Sequence, residues 1–367
     1  MMKAKTKTYI FMVILIGLLS ILPAYNWTTN QKLFDKPTLL EKMTNFYNMD
    51  IVESMISYVA LRVGISVEPN KTMIGNDGWL FLGNDYANTL NAKRFGITPE
   101  VRKSLDELHD ATMKWDTYLK NHGVKQFLVM TGPDKDTIYP EKLPKWDKHA
   151  ETSILKTIIY ENKGVYVDTL NRLVDAKKTA KLPLYLHTDT HWNAYGSSFA
   201  FDALADAVED KSIIWPSKYS ASDFKASEGR AGDLAAFLRV KDVNETAVHV
   251  TDNRVSDTTI MKYDYHTGGL ISTEPLTTIG APESATLVIS NNALNDKKVL
   301  WIKDSFGEAS SPTMLITFKN VLVIHRDMVS PTVFESLVNS FKPDYVFITV
   351  VERNSFVGIS RVPPNLN

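Results

Sequence analysis

From residue 98 onward the chain alternates segments of helical and strand period, and this alternation restricts its fold more than any other feature. Thr98-Pro99 offers an N-cap followed by proline at the first helical position. Val101, Leu105, Leu108, Thr112, Trp115 and Leu119 then recur every three or four residues as one apolar stripe, and Gly123 closes the helix. The pattern predicts a strand at "VKQFLVM" (124–130), a helix around 151–162, a strand at "GVYVD" (164–168), a helix at 169–177 and a strand at "PLYLH". Asn193 is placed to cap a helix running to about Val208. The rhythm lapses over 212–296, a stretch rich in Thr, Ser, Asp and Gly with short runs such as "ATLVIS", which predicts an insertion with its own β structure. Strands then return at 298–302, 321–325 and 344–350, with helices from about 308 and from Ser330-Pro331. Such alternation implies a parallel sheet covered on both faces, with function gathered just past the carboxyl ends of its strands.

Ahead of this body, Lys3, Lys5 and Lys7 precede an apolar run from Tyr9 to Tyr25. The lysines are expected to stay cytoplasmic and the remainder to be exported. Cleavage near "LPAYN" lacks small residues at the two positions a signal peptidase reads, so the run is read as an uncleaved signal anchor. The expected division is an anchor at 1–27, a partly helical stalk at 28–70, a catalytic body at 71–355 with its β-rich insertion, and a tail at 356–367. "NDGWLFL" marks the start of the body as a turn leading into a short strand. A net charge of −1 gives no field for nucleic acid, and the absence of cysteine removes disulfides, thiolate catalysis and cysteine metal sites.

Two motifs follow predicted strands. "HTDTHWN" (187–193) carries His187, Asp189 and His191 at alternate positions, and "KDSFGEAS" (303–310) places Ser305 in a tight turn between strand and helix. Serine needs a base to take its proton. His191 can be that base, with Asp189 fixing its tautomer and the amides of the serine's turn facing an oxyanion. The same three residues of the first motif also have the spacing of a metal clip, and spacing alone leaves triad and metal level. Ser305 could instead belong to a helix cap, with the serine or Asp304 satisfying the first helix amides. Lys135, Trp192, Asn193 and Arg353 are candidate substrate contacts. Lys135 could equally be a solvated loop lysine and Arg353 a salt-bridged edge residue, while Trp192 and Asn193 would also shape their loop and start the next helix.

"GNDGWLFLGND", "PDKDTIYPEKLP", "DTHWNAYG" and "KDSFG", in that order, resemble the extracytoplasmic SGNH-hydrolase-like proteins of the alginate O-acetyltransferase kind, the AlgJ/AlgX family. The resemblance implies an α/β fold of the flavodoxin-like, three-layer α/β/α type. It implies Asp189, His191 and Ser305 as the catalytic triad, with no role for His187, no metal and no cofactor. It further implies acetyl transfer to hydroxyls of a cell-wall or exported polysaccharide, and a membrane-bound O-acyltransferase that supplies the acetyl groups. A carbohydrate acetyl esterase with the same triad, or a non-catalytic polysaccharide-binding scaffold, are the alternatives. The family's separate polysaccharide-binding module has no counterpart after residue 350, so the partner or the 212–296 insertion is expected to help hold substrate.

Overall fold

The computed structural model describes residues 4–29, 34–35 and 38–364; Lys3 and the last three residues of the tail lie outside them. The chain forms two compact units, Met1–Val67 with Leu238–Val240, and Glu68–Phe237 with Lys241–Asn367. In the first unit a 26-residue helix, Ala4–Thr29, exposes apolar side chains all round. Its Lys5–Thr29 stretch is long and apolar enough to cross a membrane, as a single-pass anchor requires. Helices at Leu39–Phe46 and Asp50–Arg62 follow. The first begins in a capping box, in which the Thr38 hydroxyl accepts from the Glu41 amide and the Glu41 carboxylate accepts in return from the Thr38 amide.

The second unit opens with a hairpin, β1 (Thr72–Ile74) against β2 (Leu80–Leu82). Asp77 and Gly78 make its turn with φ of 56° and 78°, the left-handed conformation that Asp-Gly tolerates. The central sheet contains β3 (Gln126–Gly132), β6 (Thr259–Asp264), β7 (Leu270–Pro275), β8 (Thr286–Ser290), β9 (Asn295–Lys303), β10 (Phe318–His325) and β11 (Tyr345–Val351), in the spatial order β3-β11-β9-β10-β8-β6-β7. The first four in that order are parallel and the last three add antiparallel to the far edge. β3 and β11 are buried at every residue, which is why they read as unbroken apolar runs.

Alternate residues of these strands enter two cores. Leu128, Met130, Val299, Trp301 and Phe347 face one, with Phe201, Leu173 and Met314 of the helices at Ala194–Ala207, Thr169–Thr179 and Ser311–Thr317. Phe127, Val129, Leu300, Ile302 and Ile348 face the other, with Leu105, Trp115, Ile158 and Phe334 of the helices at Pro99–Asn121, Ile154–Glu161 and Pro331–Phe341. Two helical layers thus cover one sheet, the expected α/β/α arrangement. From β9 the chain goes to β10 on one side and then crosses back to β11 on the other, so the carboxyl end of β9 is the point where connections diverge.

Three expectations are corrected. The 212–296 stretch is not a self-contained β insertion: β6, β7 and β8 extend the central sheet, and only β4 (Phe224–Gly229) and β5 (Glu245–Val250) form a separate antiparallel pair. "GVYVD" touches the sheet at one bridge, Val129 to Tyr166, held by the amides of Val129 and Val167. "PLYLH" is not a sheet strand either. Tyr185 bridges Trp192, and the chain folds back on itself through Leu186 N to His191 O (3.2 Å) and Asn193 N to Leu184 O (3.0 Å).

Candidate active site

The doubled-back segment makes 186–193 a closed loop, and buried polar groups lock it from below. The Lys135 ammonium, in the turn after β3, donates to the carbonyls of Leu186 (2.9 Å), His187 (2.9 Å) and Asp189 (2.6 Å). Burial pushes this lysine down to about 7, against the carboxylates of Asp189, Glu245 and Asp233. Three carbonyl acceptors match the three protons of the charged form. Lys135 is therefore neither a solvated loop lysine nor placed to touch substrate.

Glu245, at the start of β5, accepts from the amides of His187 (3.1 Å) and Thr188 (2.6 Å) and from the Thr188 hydroxyl (2.6 Å). Asp233 accepts from the Thr190 amide (2.8 Å) and hydroxyl (2.7 Å), and its own amide donates to Asp189 Oδ2 (3.1 Å). Gly232 must be glycine: a Cβ there would lie 2.3 Å from the Asp189 Cβ and 2.7 Å from its Cα. His187 turns away and packs edge-on against Trp79, ring centroids 4.5 Å apart.

The serine arrives from the sheet. β9 ends at Lys303, and Asp304 caps the following 3₁₀ turn by accepting from the Phe306 amide (2.9 Å), while its other oxygen accepts from Val351 N of β11 (2.8 Å). Of the two residues that the sequence left open for capping, Asp304 performs it, and Ser305 is exposed. The same bond engages the Phe306 amide, and Gly307 N donates to Asp304 O (3.1 Å), so those two amides do not face an oxyanion as expected. Trp192 is buried, with its indole N–H donating to Phe306 O (2.8 Å). Asn193 caps the next helix, accepting from Gly196 N. Trp192 thus joins the histidine loop to the serine turn from inside, Asn193 ties the loop to Pro183 and starts the helix, and their burial removes both as substrate contacts. Arg353 donates to Asp134 (2.5 Å) and lies 5.5 Å from the Phe306 ring, on the wall of the site. A buried charge cluster fixes that wall: Lys93 meets Asp134 (3.0 Å) and Asp136 (2.5 Å), and burial pushes the neighbouring Glu352 up to about 7.

These elements bring His191 Nε2 to 2.8 Å from Ser305 Oγ and His191 Nδ1 to 2.6 Å from Asp189 Oδ1. Burial works against ionisation of Asp189, but the His191 ring and the amides of His191 and Asp233 outweigh it and hold the carboxyl down at about 2. An ionised carboxylate only accepts, so Nδ1 carries the proton and Nε2 presents its lone pair to the serine hydroxyl. Burial also works against a charged His191, yet the bond and charge of Asp189 raise its pKa above the ordinary histidine value. Asp189, His191 and Asp233 lie close enough together to be metal ligands. All four carboxylate oxygens already accept protein N–H or O–H groups, and His187 is elsewhere.

Residues 72–280, more than half of the chain, match the family model described as "SGNH hydrolase-like domain, acetyltransferase AlgX". The chain belongs to this family. The match contains Asp189 and His191 and stops short of Ser305. Two curated relatives of this AlgX-like chain are probable alginate O-acetylases AlgJ: that of Pseudomonas putida is 26% identical over 51% of this chain and 47% of its own length, and that of Pseudomonas fluorescens 24% over 45% and 41%. The chain thus spans less than half the length of either. Among solved structures, Bacillus cereus PatB1 with a sulfonyl adduct superposes with a TM-score of 0.56 at 15% identity, over 79% of this chain and 97% of PatB1. A DHHW family protein from Eubacterium siraeum gives 0.56 at 16%, over 82% and 98%. At these identities the likeness is one of fold.

Proposed function

We propose that this AlgX-like chain transfers acetyl groups to hydroxyls of an exported or cell-wall polysaccharide through an acyl-serine at Ser305. The observation that carries this reading is the continuous relay from Ser305 Oγ through the His191 ring to Asp189, at 2.8 and 2.6 Å. Ser305 Oγ attacks the carbonyl carbon of an acetyl donor while its proton passes to His191 Nε2. The imidazolium is stabilised by Asp189, and collapse of the tetrahedral intermediate expels the donor's leaving group with that proton. A sugar hydroxyl then gives its proton to His191, attacks the acyl carbon and frees Ser305, which recovers its proton from His191. With Phe306 and Gly307 amides engaged, the backbone donor that the turn leaves for an oxyanion is the amide of Ser305. In this reading the N-terminal helix holds the chain at the membrane with its body outside the cytoplasm, and a membrane-bound O-acyltransferase delivers the acetyl group.

The test is incubation with an aryl acetate and a polysaccharide acceptor, following both products. Acetylated sugar with trapped acetyl-Ser305 supports the reading. Acetate alone supports the second reading, a carbohydrate acetyl esterase, which the exposure of Ser305 to water favours. An unmodified serine would sink both.

The pH profile gives a further prediction. His191 must be neutral to act as base, so kcat/KM for an aryl acetate rises with pH, with its midpoint above 6.5. In Asp189→Asn the two largest raising influences are gone, while burial and Arg353 still lower and only Asp233 still raises, so the midpoint moves down. The plateau falls by roughly 10⁴-fold because the tautomer is no longer fixed. A pH–rate series on both proteins checks the sign.

A further inference from the structure

Two clefts share part of their walls. The larger, about 290 Å³, is walled by Ala194, three residues past His191, by Ala309, four past Ser305, and by residues of β4 and β5 such as Phe224 and Val248. The smaller, about 140 Å³, is walled by Phe201, Asp202 and Trp215. Tyr219 and Thr313 line both, so the two form one trough leading away from the site. Trp215 and Tyr219 are half-buried, each presenting part of its ring to the trough. Tyr219 is held by its hydroxyl, which donates to Asp252 (2.9 Å).

The charges in the trough are unequal in state. Asp206 and Lys218 neutralise each other at 3.0 Å, with Arg172 also on Asp206. Asp202 faces the trough without a hydrogen bond to its carboxyl group from any described residue, and burial raises its pKa to about 6, with Lys218 and Arg172 only partly opposing. A polyuronate laid here would find no surplus cation for its carboxylates, because Lys218 and Arg172 already face the two acids Asp206 and Asp202. Hydroxyl-rich, uncharged sugars suit it better: their C–H faces stack on aromatic rings, and a free carboxylate accepts from two hydroxyls at once.

We propose that this trough is the acceptor groove and that it takes a chain of neutral sugars, with Tyr219 and Trp215 as stacking faces and Asp202 as the hydroxyl-binding group. The proposal rests on the reading of Ser305 as the acetyl carrier, and it sets this chain apart from a uronate-specific enzyme. It also gives part of the 212–296 stretch a task, since Tyr219, Phe224 and Val248 belong to it.

The test is calorimetric titration of the full-length Ser305→Ala chain with hexasaccharides of glucose, mannose and N-acetylglucosamine, and with a mannuronate hexasaccharide. At least one neutral hexasaccharide is expected to bind, and mannuronate at least tenfold more weakly. Adding Asp202→Asn, which removes a half-buried charge that no hydrogen bond of a described residue holds and so does not endanger folding, is expected to weaken the neutral ligand by roughly tenfold, the value of a hydrogen bond to a charged group. Mannuronate binding as tightly as the best neutral ligand, no binding by any, or an unchanged affinity in Asp202→Asn overturns the proposal. Binding needs no chemistry, so failure of the acyl-serine reading shows separately, as absence of an acetyl-enzyme in the wild-type chain.

Discussion

Ser305→Ala is expected to abolish the acetyl-enzyme and lower aryl-acetate turnover by about 10⁴–10⁶-fold, with the fold intact. The hydroxyl is exposed and makes one side-chain contact, to His191, so its removal leaves neither a cavity nor a buried unpaired group. His191→Ala should cost about as much, and the double variant little more than either, because base and nucleophile act as one unit. Burst kinetics and the mass of the trapped protein measure both effects. A Ser305→Ala protein within tenfold of wild type would show that some other group carries the acetyl.

Lys135→Met is expected to have the largest effect on stability and to reach the chemistry from beneath. The substitution keeps the length of the side chain and removes its three bonds, leaving the carbonyls of Leu186, His187 and Asp189 without that donor. Even allowing for the relief of no longer burying an ammonium, the net loss is about 3–5 kcal/mol. That corresponds to a fall in Tm on the order of 10 °C. Because Asp189 itself loses a tether, kcat should fall by roughly 10²-fold in the folded fraction while KM for a small aryl acetate changes little. Thermal melts and steady-state kinetics below the lowered Tm separate the two effects. Unchanged melting would mean the ammonium contributes no net stability to the loop.

The strands that carry the serine were legible in the sequence for a physical reason. β3, β9, β10 and β11 are covered on both faces, and such strands read as continuous apolar runs. The runs at 164–168 and 183–187 look the same but have no neighbouring strand to extend their pairing, and pairing is not written in a single segment. The half-exposed alternation of β6 and β7 reads as a detached β region, since period reports a wet face and not which sheet the strand joins. At the site, Asp189, His191 and Ser305 stood out by residue type. Glu245 and Asp233 did not, because an acid in a turn far along the chain looks like any solvated acid until the fold supplies its amide donors. Lys135 misled in the same way: its motif was visible, its burial was not.

The approach of Gly232 to Asp189 yields a means of recognition. A pattern confined to Asp-Thr-His-Trp is short enough to arise by chance, and it says nothing about whether the aspartate is held. The Gly232-Asp233 pair supplies a second key. The Gly232 amide donates to the Thr188 hydroxyl and the Asp233 amide to the Asp189 carboxylate, each 44 positions back along the chain. A chain that carries the motif and, at a like distance downstream, a glycine followed by an acid can close the same clamp. One that carries the motif with a bulkier residue in place of the glycine cannot seat its aspartate in this way. The pair thus marks, on the letters alone, chains whose aspartate can be seated as it is here.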